Sequence, residues 1–218
     1  MNTQQLKLTK LIKLTIVGAI LASLTGCGAL VVGGVVAGAA MVTTDRRTSS
    51  AQSDDEGIEL PASARLSTRF SEKGHFNVTC FNRRVLLTGE VGNMPDKQAA
   101  ELLVSQVENV KIVVNELTIA PTTSSLSERS NDTYLTSLVR AALLEAKDVQ
   151  SHAFKVVTER SVVYLMGRVT EREAKRGAEV ASGVRGVVKV VRSFEFISEA
   201  EINTQTQSPA NQTAPAKP

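Results

Sequence analysis

Covalent chemistry has few carriers in this chain: two cysteines and two histidines. Cys27 closes the stretch Leu24-Thr-Gly-Cys27, directly after an apolar run at residues 14–24. Ahead of that run stand Lys7, Lys10 and Lys13 and no acidic residue. A basic start followed by an apolar run is the layout of an export signal. If Cys27 carries lipid, Cys80 has no partner for an intrachain disulfide. It alternates with Phe76 and Val78, so it is expected to face the core as a small hydrophobe. His75 and His152 each precede an expected first strand, with no second ligand nearby in sequence. No paired carboxylates, nucleophile motif or metal-ligand cluster is visible. The reading is a non-enzyme with no catalytic residue, metal or cofactor.

A second group of side chains could act on a surface. Residues 131–146 read as a helix capped by Asn131 or Asp132. Leu135, Leu138, Val139, Ala142 and Leu143 form an ordinary core stripe at spacings of 3, 4, 7 and 8. At about 100° per residue, Tyr134, Ala141 and Leu144 fall on a second arc with Ser137. Arg140 and Lys147 border that arc. An apolar surplus edged by cations suits a bilayer: apolar groups enter and basic ones stay at the headgroups. The candidate lipid-binding residues are Tyr134, Leu138, Arg140, Ala141, Leu144 and Lys147. The plainer alternative packs Tyr134 and Leu144 on another part of the chain, or leaves them as scattered surface apolars.

The elements that position these residues come from an internal repeat. Val85-Leu-Leu-Thr-Gly-Glu-Val91 recurs as Val163-Tyr-Leu-Met-Gly-Arg-Val169. Gly89 and Gly167, 78 residues apart, are the structural glycines of the two copies. A glycine inside a strand marks a bulge or a close backbone approach, and a helix is expected over each. The first copy reads as a short helix at residues 58–70, limited by Pro61, then strands at 77–81 and 85–89 joined by Asn82-Arg83. A helix at 95–107 and a strand at 111–119 complete it. The second copy has strands at 154–158 and 162–167, with Glu159-Arg160-Ser161 between them. Thr170 caps its second helix, with Glu173 completing a capping box, and a strand at 187–197 ends it. Each copy therefore reads αββαβ. The fold class is α+β, with a three-stranded mixed sheet packed against two helices in each copy.

Charge divides the copies. Residues 54–119 carry 7 basic and 10 acidic side chains, and residues 131–198 carry 11 and 8. A basic domain held near a bilayer favours anionic headgroups. Nucleic acid is not expected as a partner, because Tyr164 and Phe194 alone make no stacking platform and export removes the substrate. A plain membrane helix over residues 14–42 is weighed against cleavage before Cys27. Gly26, Gly28, Gly33, Gly34 and Gly38 interrupt that run, and the portion left after cleavage, 28–42, is too short to span.

The Leu-Thr-Gly-Cys27 segment resembles the lipobox of bacterial lipoproteins, which implies a cleaved signal and an acylated Cys27. Gly28 rather than Asp after the cysteine implies the outer membrane. The repeat, with its Val-x-Leu-x-Gly-x-Val stretch, resembles the BON domain. Two such domains behind a lipobox resemble the division- and outer-membrane-stress-associated lipid-binding lipoproteins. Ser130-Asn-Asp-Thr-Tyr134 and the run from Val163 to Lys175 carry that resemblance. The resemblance implies a lipid-anchored, periplasm-facing protein that binds anionic phospholipid, phosphatidylglycerol or cardiolipin, through its second domain. It also implies support of envelope integrity and gathering at the division site. The family aromatic at position 134 is usually Trp; Tyr134 inserts less apolar area. The alternative is a protein-interaction scaffold for outer-membrane assembly or cell-wall enzymes. The expected division is 1–26 signal peptide, 27–56 lipidated apolar segment and polar linker, 57–120 first domain, 121–130 linker, 131–198 second domain and 199–218 disordered tail.

Overall fold

The computed structural model describes residues 46–202, apart from Thr48 and Glu72. The signal peptide, Cys27 and residues 203–218 lie outside the described residues. The first copy comprises α1 (Ser49–Phe70), β1 (Gly74–Phe81), β2 (Arg84–Val91), α2 (Met94–Ser105), β3 (Ile112–Asn115) and β4 (Thr118–Ile119). The second comprises α3 (Leu126–Glu145), a 3-10 turn (Ser151–Ala153), β5 (Phe154–Glu159), β6 (Val162–Val169), α4 (Glu171–Ser182) and β7 (Lys189–Phe196). In both, the hairpin is antiparallel and the last strand lies parallel to the second, which is central. The crossover helix makes this possible, because a parallel pair cannot be joined by a tight turn. The first sheet differs in one respect. Its last strand is split into β3 and β4, both paired with β2. Between them Leu117 turns into the core, its amide donating to Asn115 Oδ1 at 3.3 Å.

Both hairpins turn on two residues with positive φ: Asn82 and Arg83 at 51° and 64°, Arg160 and Ser161 at 51° and 61°. Such turns match the twist of paired strands but strain any residue other than glycine, asparagine or aspartate. Each is held by an aspartate of the preceding helix. Asp55 accepts the amides of Asn82 and Arg83, both at 2.7 Å. Asp132 accepts those of Arg160 and Ser161, both at 2.8 Å. Burial pushes the Asp55 carboxyl upward. The Arg83 amide, the Cys80 thiol, the Asn82 amide and the Arg47 guanidinium outweigh it and hold Asp55 below the ordinary carboxylate range. Cys80 is buried, as its alternation predicts, and its thiol is pushed up by burial and by Asp55.

Several expectations need correction. α1 is not short: it begins at Ser49, so residues 49–56, read as linker, are helical. Pro61 lies inside it on the solvent side, and Gly57, whose carbonyl it deprives of a donor, is exposed as well. α3 starts at Leu126 rather than Asn131, with Ser125 as its cap. Residues 199–202 are helical, with Ser198 and Glu201 capping one another, where the tail was expected to start. What a side chain at either glycine would meet is the backbone beside the paired first strand, not a helix. A Cβ on Gly89 would lie 2.0 Å from the His75 carbonyl oxygen, and one on Gly167 2.2 Å from that of Ala153.

Three buried clusters hold the two copies. One face of the first sheet packs on α1 and α2 through Ile58, Leu66, Phe70, Val85, Leu87 and Val104. One face of the second packs on α3 and α4 through Val139, Leu143, Val163, Leu165 and Ala181. The opposite faces meet: Phe81 and Leu86 of the first sheet pack with Tyr164 and Met166 of the second. Alternation explains the division. Leu87 and Leu165 face their helices while Leu86 and Met166 face the other sheet. Each such side chain taken fully from water contributes about 1.5–3 kcal/mol. Polar contacts rim this junction. Lys155 Nζ donates to Glu59 Oε1 at 2.9 Å and to the Cys80 carbonyl at 3.0 Å. Asn82 Nδ2 donates to Glu195 Oε2 at 2.5 Å.

Candidate functional site

α3 is set by a complete capping box. The Glu128 amide donates to Ser125 Oγ at 3.2 Å, and the Ser125 amide donates to Glu128 Oε2 at 2.7 Å. Its inner stripe, Leu135, Val139 and Leu143, is buried. Asp132 ties the helix to the β5–β6 turn, and Thr136 Oγ1 meets Thr158 Oγ1 at 2.8 Å. These contacts fix the rotation of the helix, and therefore what it shows to solvent.

What it shows is apolar. Tyr134 is 61% exposed and Leu144 67%. Neither is covered by the first copy. Ala141 and Lys147 are exposed beside them. Arg140 is exposed, with Nη2 donating to the Val156 carbonyl at 3.3 Å, so its stem lies along the sheet edge. Leu138 is half-buried and belongs to the flank of the core stripe. Two residues were missed. Leu126, inside the span read as linker, is helical and 81% exposed. Ser125-x-x-Glu128 spelled its capping box in the sequence. Glu145, also exposed, lies about 20° from Tyr134 on a helical wheel and puts one negative charge at the end of the arc. Leu126 and Leu144 are separated by 18 residues, roughly 27 Å along the axis.

The first copy has the same inner stripe and a different outer face. Ile58, Ala62 and Leu66 are buried, each 77 residues before Leu135, Val139 and Leu143. At the same offset, Gly57 stands for Tyr134 and Ser67 for Leu144. One scaffold thus presents a polar helix once and an apolar, cation-edged helix once.

A second cluster appears only in three dimensions. His75 on β1 lies opposite Glu90 on β2, and Glu159 comes from the end of β5. His75 Nδ1 is 3.3 Å from Glu90 Oε2 and 3.9 Å from Glu159 Oε1. Sequence reading found no second ligand near His75; the fold supplies two carboxylates, one across the junction. Burial raises the Glu90 carboxyl, but Ser124 and then Arg160 and His75 hold it below the usual range. Glu159 is raised by burial, against the pull of Asn77 and His75. His152 lies in the exposed 3-10 turn, away from this cluster in sequence.

The fold and the outer helix define a tandem α+β protein whose two sheets pack on each other and whose α3 carries an exposed apolar arc. The BON domain model matches residues 54–121 and 131–198, and the chain belongs to the dual BON-domain lipoproteins. It is similar to the outer membrane lipoprotein DolP of Haemophilus influenzae, 37% identical over 87% of this chain and 98% of that protein. It is also similar to a 21 kDa hemolysin of Actinobacillus pleuropneumoniae, 31% identical over 70% of this chain and 79% of that one. A solved structure of CdsD, a type III secretion protein of Chlamydia trachomatis, matches 70% of the chain at 12% identity and TM-score 0.27.

Proposed function

We propose that this chain is an outer-membrane lipoprotein, anchored through acylated Cys27 and facing the periplasm, whose second domain binds anionic phospholipid through α3. The relative's name supports the membrane, and no helix among the described residues is long and apolar enough to cross a bilayer. The observation that carries the lipid reading is the open arc of Leu126, Tyr134 and Leu144 on α3, which has no counterpart on α1. Apolar side chains on such an arc enter the acyl boundary, while Lys147 and the free donors of Arg140 stay at the headgroups. An acylated end makes a modest affinity sufficient, because the anchor raises the local concentration of lipid surface. In this reading the protein supports envelope integrity and gathers at the division site, where phosphatidylglycerol or cardiolipin supplies the charge. Sedimentation with vesicles containing or lacking phosphatidylglycerol tests it. The double variant Tyr134→Asp, Leu144→Asp should lose binding while keeping its circular dichroism spectrum. Unchanged sedimentation would sink the reading. Photocrosslinking from position 134 gives lipid adducts in this reading; a single protein adduct would point instead to a scaffold for outer-membrane or cell-wall enzymes.

A further inference from the structure

We propose that His75, Glu90 and Glu159 form a binding site for a zinc-class divalent cation that clamps the two BON domains together. One ligand atom from each of the three lies within 4.8 Å of the others. Imidazole and carboxylate together suit zinc and its first-row neighbours. A tetrahedral ion with bonds of about 2.1 Å holds its ligand atoms roughly 3.4 Å apart. The 3.3 and 3.9 Å separations from His75 Nδ1 are near that value, and all three ligand atoms already lie within 4.8 Å of one another.

The remaining oxygens are held as ligands are held. Glu90 Oε1 accepts from Ser124 Oγ, and from Arg160 Nη1 at 3.3 Å, which leaves Oε2 turned to His75. Glu159 Oε2 accepts from Asn77 Nδ2 at 2.6 Å, which leaves Oε1 turned to His75. Each carboxylate thus has one oxygen fixed by a neighbour and one aimed at a common point, the outer-shell support that metal-binding carboxylates need. Charge argues the same way. The two glutamate side chains are 1% and 6% exposed, and among the described residues the one guanidinium paired with them is that of Arg160, on Glu90. A plain hydrogen bond from His75 to Glu90 leaves Glu159 Oε1 3.9 Å from the ring nitrogen; a cation would bind all three groups at once. Entry is open, because His75 is 18% exposed and lines a groove of about 340 Å³ with Asn77, Thr136 and Glu159. His75 and Glu90 belong to the first domain and Glu159 to the second, so the ion would tie them across the junction.

The test uses the full chain in detergent, stripped with a chelator and titrated with Zn²⁺ by calorimetry and with Co²⁺ by visible absorption. One ion per chain should bind, with Co²⁺ d–d bands, and should raise the melting temperature by at least about 2 °C. Glu159→Gln and His75→Ala should each weaken binding at least tenfold, and His152→Ala should leave it unchanged. Metal-free Glu159→Gln should melt no lower than the parent, because it removes a buried charge while keeping the shape. That result separates a lost ligand from a lost fold. No saturable binding, binding shifted by His152→Ala, or binding untouched by Glu159→Gln and His75→Ala would overturn the site.

Discussion

The guanidinium of Arg46 grips both carboxylate oxygens of Glu173, at 2.7 and 2.8 Å. It also donates to the Arg168 carbonyl at 3.0 Å and to Gln150 Oε1 at 2.8 Å. Glu173 at the same time closes the capping box of α4 with Thr170. The segment entering the first domain is thus pinned to the second. Arg46 and Glu173 side chains are 7% and 5% exposed, so this is a buried pair, and two-pronged contacts of this kind are the strong ones.

Removing one partner of a buried pair leaves the other charged and unpaired, which costs about 3 kcal/mol. Arg46→Ala is expected to lower the unfolding free energy by that amount, read from urea denaturation. It should also open residues 46–50 to limited proteolysis. Conversion of Arg46 to Lys should recover part of the loss, because a lysine keeps the charge but not the fork.

Gly89→Ala should be severe, because its Cβ would meet the His75 carbonyl at 2.0 Å and its φ is +115°. A loss of about 3 kcal/mol or more is expected. Gly92→Ala, with nothing within 4 Å, should stay within roughly 0.5 kcal/mol of the parent. Thermal unfolding of the pair is the check. Equal effects would mean that the close approach at Gly89 is not what fixes the residue.

Acid should destabilise the protein in part through Asp55. Its folded pKa lies below the value in the unfolded chain, about 3.9. The unfolded state therefore takes up the proton first as pH falls. The stability Asp55 contributes is fully present above about pH 4 and drains away as pH drops through the folded pKa. Urea midpoints between pH 6 and pH 3 should fall for the parent. Asp55→Asn should start lower and show a shallower slope.

Leu126 was read as linker and turns out to extend the apolar face. If α3 lies on lipid along its length, Leu126→Ser should weaken vesicle binding about tenfold, the effect of losing part of one buried leucine. The same change on α1, Leu60→Ser, should do nothing to binding, although Leu60 is also exposed. Loss in both variants would show that surface apolars act without regard to place.

Sequence alone determined the repeat, the αββαβ order, the turn at Asn82-Arg83, the cap at Thr170 and the inner stripe of α3. All of these rest on local pattern: period, turn chemistry and capping, read within a dozen residues. It erred where local signals conflict, as at Pro61, whose place inside α1 depends on a solvent side that only packing assigns. The central strands carried a further clue. Val85-Leu-Leu and Val163-Tyr-Leu-Met are apolar on both faces, more than one covered face requires. That pattern shows that a second face is covered without showing by what. Only the tertiary structure decided that the two sheets cover each other, that Arg46 reaches Glu173 across 127 positions, and that His75 meets Glu159. It also decided that Tyr134 and Leu144 stay in solvent. The reason is that a strand's period fixes which way each side chain points, while the identity of its neighbour depends on how two separately folded sheets come together.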